Sequence, residues 1–145
     1  MKAKHVLYLV IIVGLLVPMS AIPVLADEAA IPMWVHRARV AYTGRSHWGP
    51  DAVGAFVHIR DADLTMVEGA MVSATWTWTL SDGTEGTEDQ QVLTNGQGIA
   101  ELSVWEGRGE YKVCVTGVTK SGWLYDPALN REDLDSEGCA VFTAP

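Results

Sequence analysis

Residues 71–80, MVSATWTWTL, alternate without a break: Val72, Ala74, Trp76, Trp78 and Leu80 share one parity, and Met71, Ser73, Thr75, Thr77 and Thr79 share the other. Successive side chains of a strand point to opposite faces, so this segment reads as a strand with one core face and one threonine-rich, solvent-tolerant face. No stretch of useful length beyond residue 26 has helical periodicity. Further β-rich runs at 33–42, 53–60, 90–94, 99–105, 110–118 and 139–143 are separated by Gly, Asn and Asp at near-regular intervals. That spacing is the mark of a sandwich or barrel. The count predicts an all-β fold, a single antiparallel sandwich of seven strands and immunoglobulin-like type. Asn95-Gly96-Gln97-Gly98 reads as a tight hairpin between the fourth and fifth runs, because Asn-Gly supplies the positive φ such turns need. Residues 81–89 read as a polar loop. The one long connection, 119–138, carries Trp123, Tyr125 and Pro127 ahead of a charged segment and is expected to pack down as an ordered loop.

The N-terminus has a different character. Lys2 and Lys4 precede an uncharged apolar run from Val6 to Val17, and Val24-Leu25-Ala26 stands before Asp27-Glu28. A basic start, an apolar core and small residues at −3 and −1 define a secretory signal, and the run falls short of the roughly 20 residues a membrane-spanning helix needs. Residues 1–26 are therefore expected to be a signal peptide cleaved after Ala26, and residues 27–145 one secreted, extracellular or periplasmic domain. Removal of Lys2 and Lys4 leaves eight basic against 18 acidic residues, a formal charge of −10. So acidic a chain repels phosphate backbones and anionic lipid. Nucleic acid is excluded as a partner, and so is membrane insertion of the mature chain. Arg37, Arg39 and Arg45 form its only local basic cluster.

Cys114 and Cys139 are the only cysteines. An oxidising compartment and an even count predict one disulfide between them, on the penultimate and last runs and at the foot of the long connection. Catalytic motifs are missing: there is no G-x-S-x-G elbow, H-E-x-x-H pair, phosphate loop or dinucleotide fingerprint, and His36, His47 and His58 are widely spaced. Asp61-Ala62-Asp63 begins like a calcium loop, but Met66 and Val72 stand where an EF-hand needs glycine and glutamate. Asp126, Asn130, Asp133 and Asp135 read as a soluble acidic loop. No catalytic residue, metal site or cofactor is assigned. Six tryptophans are many for this length. Trp76 and Trp78 belong to the core face and Trp34 and Trp105 to strands, which leaves Trp48, Trp123 and Tyr125 as loop aromatics within reach of a ligand.

Three stretches carry a resemblance: Val67-Glu68-Gly69-Ala70-Met71-Val72, Thr94-Asn95-Gly96-Gln97-Gly98, and Gly109-Glu110-Tyr111-Lys112-Val113. They resemble the G-A-x-V strand pair, the glycine turn and the G-x-Y-x-V strand of bacterial Ig-like and carboxypeptidase-regulatory-like modules. The segment from Val118 to Asn130, VTKSGWLYDPALN, is similar to a stretch in accessory C-terminal domains of secreted bacterial subtilisin-like proteases. The resemblance covers roughly residues 35–145. It implies a non-catalytic β-sandwich acting as an accessory to something larger. The expected function is thus a secreted Ig-like module that binds a secreted or cell-surface protein or serves a structural role; the alternative is a carbohydrate-binding module that holds polysaccharide through Trp48, Trp123 and Tyr125.

Overall fold

The computed structural model of the protein describes residues 30–46, 49–104, 106–131, 134–135 and 138–144, so the signal read over 1–26, Trp48, Trp105 and Asp133 lie outside the described residues. Eight strands follow in the order β1 (Ile31–Ser46), β2 (Gly49–Asp61), β3 (Met71–Leu80), β4 (Glu85–Leu93), β5 (Ile99–Val104), β6 (Gly109–Thr119), β7 (Trp123–Tyr125) and β8 (Cys139–Ala144), with a single 3-10 turn, Pro127–Leu129, after β7. They form two four-stranded sheets, ordered β5-β2-β1-β7 and β4-β3-β6-β8. The fold is an all-β sandwich. No helix among the described residues is long and apolar enough to cross a membrane.

The core follows from period-two burial. On β3, Val72, Ala74 and Trp76 are buried and the threonines face outward; on β2, Val53, Ala55, Val57 and Ile59 are buried and alternate with half-buried Phe56, His58 and Arg60. Met33 and Val35 from β1, Leu102 and Val104 from β5, and Tyr111 and Val113 from β6 complete one continuous cluster between the sheets. Trp78 is only half-buried; it stands opposite Gly86 on β4, and its indole lies across the space a Cβ there would fill.

Four expectations change. Eight strands are described where seven were expected, because Trp123–Tyr125 is recruited from the long connection as β7. The sandwich is not wholly antiparallel: β7 runs parallel to β1, with Ile31 opposite Trp123 and Met33 opposite Tyr125. A parallel neighbour needs a crossover, and the connection from β6 in the other sheet supplies it. The Asn95–Gly98 segment is no hairpin, since β4 pairs with β3 and β5 with β2, in different sheets. The positive φ sits at Gly98, whose carbonyl accepts from Ile59 N at 2.8 Å, while Asn95 Oδ1 takes the N–H groups of Gln97 and Ile99. A Cβ on Gly98 would meet the Ile59 carbonyl at 2.9 Å, so the turn needs glycine for space as well as for conformation. Finally, most of the expected polar loop 81–89 is the edge strand β4. Its polar side chains bond across to β3, with Thr75 Oγ1 donating to Asp89 at 2.6 Å and Thr87 Oγ1 to the Trp76 carbonyl at 2.9 Å. Charged side chains on such an edge also discourage pairing with another chain.

Candidate functional site

The long connection is stitched to β1 along its whole first half. β7 supplies three register pairs, and beyond it Asp126 N donates to the Met33 carbonyl at 2.9 Å. Asp126 Oδ1 then caps the 3-10 turn by accepting from Ala128 N, with Pro127 at the first position, where no N–H is needed. Asn130 closes the stitch. Its Oδ1 accepts from Val35 N at 2.9 Å, its Nδ2 donates to the Tyr125 hydroxyl at 2.9 Å, and Arg131 N reaches the Val35 carbonyl at 3.3 Å. Val35 needs these partners because its backbone groups face away from β2, on the side where pairing with β7 ends at Met33 and Tyr125. Asn130→Ala is expected to lower stability by about 2 kcal/mol, since it strands a backbone N–H at a part-buried site. Urea denaturation measures the loss, and hydrogen exchange should show the Val35 amide losing its protection.

The sequence-predicted ligand aromatics are therefore distributed as follows. Trp48 lies outside the described residues. Trp123 and Tyr125 stand on β7 rather than in a free loop, both half-buried and packed against the core, with Leu124 between them 60% exposed. Lys120 Nζ sits 5.0 Å from the Trp123 ring centroid while donating to the Glu68 carbonyl at 2.5 Å, a cation–π contact over that ring. Burial, and secondarily the Asp126 charge, push the Tyr125 hydroxyl above the usual tyrosine pKa, against the Asn130 hydrogen bond. Under the insert lies a cavity of about 590 Å³, lined by Tyr125, Asn130, Arg131, Leu134, Asp135 and Val115 among others.

The predicted disulfide is present. Cys114 and Cys139 are directly opposite on β6 and β8, with Cα atoms 4.0 Å apart. Val115 N donates to the Gly138 carbonyl beside them, and Asp135 holds both backbone groups of Cys139 through its own N–H and its Oδ1. Asp61, the candidate calcium ligand, spends Oδ1 on the N–H groups of Asp63 and Thr65 in its own turn. Among the described residues no group of three or more His, Cys, Asp or Glu is gathered as a metal site.

One surface was not legible as a site in the sequence. On the outer face of the first sheet, Arg37 pairs with His58, Arg39 with Phe56 and Trp34 with Arg60. Arg37, Arg39, Ala41, Phe56 and His58 line a depression of about 270 Å³. Sequence proximity reveals Arg37 and Arg39, but only strand register brings Arg60 beside them. Burial, then the Arg37 and Arg60 charges, hold the His58 pKa below its ordinary value. Between the lowered folded pKa and the unfolded value near 6.5, the unfolded chain binds the extra proton, so this group's contribution to stability falls as pH drops below about 6.5. His58→Gln should flatten the dependence of the urea midpoint on pH between about 7 and 5.5; an unchanged slope would count against the assignment.

Compared with known proteins, the chain matches no family model and no curated sequence.

Proposed function

We propose that the protein is an exported, non-catalytic Ig-like module that binds a secreted or cell-surface protein. The observation that carries the Ig-like part is the contact of Trp76 with Tyr111, edge to face with centroids 6.4 Å apart. Immunoglobulin-like sandwiches bury a tryptophan on their third strand, and near the start of strand F they place a tyrosine whose hydroxyl bonds back to backbone a few residues upstream. Trp76 lies on β3, and Tyr111, at the start of β6, donates its hydroxyl to the Gly107 carbonyl. The strand order supports the same reading. β1, β2 and β5 share one sheet and β4, β3, β6 and β8 the other, as strands A, B, E and C′, C, F, G would, with β7 inserted between F and G. The disulfide differs from that of antibody domains, for it joins neighbouring strands of one sheet.

Binding to a protein fits a sandwich whose long connection is fastened to β1 by backbone and Asn130 hydrogen bonds. The carbohydrate reading is weaker, because a sugar stacking on Trp123 would have to displace Lys120. The test is chemical crosslinking and size exclusion of the chain with proteins of its own culture supernatant. A discrete complex supports the reading, and a strict monomer that captures nothing counts against it. Tryptophan fluorescence titrated with a polysaccharide panel tests the alternative, and a saturable response there would favour it.

A further inference from the structure

The geometry points to the outer face of the first sheet as the docking surface, and to a protein partner that presents clustered carboxylates; this rests on the protein-binding reading above. Row by row, the face carries Trp34 and Arg60, then Arg37, His58 and Ile99, then Arg39, Phe56 and Glu101. Arg37 and Arg39 are exposed, and Phe56, His58 and Arg60 half-buried. Side chains two apart on a strand project about 6.7 Å apart, with the next strand about 4.8 Å away, so Arg37 and Arg39 stand beside His58 and Phe56, and Arg60 follows one row beyond His58.

Three observations separate this face from the rest of the molecule. Its sign is opposite to that of the chain, which carries a formal charge of −8 even before any processing. The outer face of the second sheet follows the bulk charge: Glu85, Asp89 and Glu110 stand there beside the β3 threonines, with Lys112 already 3.6 Å from Asp135. Its composition is that of an interface centre, in which Arg and aromatic residues are enriched and Lys is depleted; every permanent cation named on the face is Arg. Its shape is also suited. The depression between Arg39 and His58 has Phe56 beside it and room for a carboxylate-bearing side chain, and guanidinium groups donate to carboxylates in bidentate geometry. Burial is the main cause of the lowered His58 pKa, and the Arg37 and Arg60 charges add to it in the same direction. Such a patch on an acidic chain would orient an acidic partner toward one face and repel it from the others.

The test is NMR titration of the full exported chain with an oligoglutamate peptide as the probe, and with polygalacturonate at equal carboxylate concentration. The peptide should shift amides around Arg39, Phe56 and His58. Arg37→Glu/Arg39→Glu should weaken its binding at least about tenfold, and binding should fall as salt rises. Arg108→Glu, the same exchange made once in an exposed turn and half the charge change of the pair, should leave it unchanged. Peptide shifts that are absent, lie elsewhere or survive the double substitution overturn the proposal; polygalacturonate binding as tightly as the peptide overturns the choice of a protein partner. A supernatant complex that survives Arg37→Glu/Arg39→Glu would leave the protein-binding reading standing and remove this face from it. Peptide binding here without any supernatant complex would do the reverse.

Discussion

Trp76→Ala is expected to destabilise the fold by about 4 kcal/mol, the largest loss from any single side chain. Trp76 is fully buried, packs edge to face on Tyr111, and donates Nε1 to Gln90 Oε1 at 3.2 Å. Gln90 is also the clip between the open edges of the two sheets. From β4 its amide donates to the Ser103 carbonyl at 2.8 Å and accepts from Ser103 N at 3.2 Å. Removing the indole therefore leaves a cavity and frees a side chain that ties β4 to β5. On a domain of this size the melting temperature should fall by roughly 15 °C. Trp78→Ala, at the same parity but half-buried over Gly86, should cost less than half as much. An equal or larger effect at Trp78 would contradict the assignment of the core centre.

Cys114→Ser/Cys139→Ser is expected to cost about 3 kcal/mol, because the bridge closes a 25-residue separation and limits the unfolded chain. The loss should also have a location. The closed segment contains β7, the 3-10 turn and Asn130, which are tied to β1 by backbone bonds at Met33 and Val35. Hydrogen exchange in the double variant should rise first in β7 and β8 and last in β3. Uniform acceleration across both sheets would mean that the bridge has no special hold on the insert.

What could be read in advance follows from where the physics is local. The β3 and β2 alternations were legible because each has one buried and one exposed face. β4 was not: Glu85, Glu88 and Asp89 look like a loop, and only pairing with the β3 threonines makes a strand of them. β7 has three residues, too few for any period, and becomes a strand because β1 offers it an edge. The Asn95-Gly96 pair suggested a hairpin, whereas the decisive contact lies between Gly98 and Ile59, distant in sequence. The disulfide was legible from the even cysteine count and the expectation of export alone. The stretches carrying the family resemblance prove to be stitches: Thr94 donates to the Val67 carbonyl and accepts from Ala70 N, and Asp126 and Asn130 fasten the insert. Residues with such roles report the fold and say little about a ligand. The basic face shows the converse. Its members are unremarkable singly, and strand register alone assembles them.

The account depends most on export, since a partner outside the cytoplasm and an oxidised Cys114–Cys139 bridge both require it. Intact-mass analysis of the protein recovered from outside the cell, with and without reduction before alkylation, tests this directly. The predicted result is a chain beginning at Asp27 that takes up alkylating reagent only after reduction. A chain that stays in the cell with Met1 in place and two cysteines alkylated without reduction would contradict it.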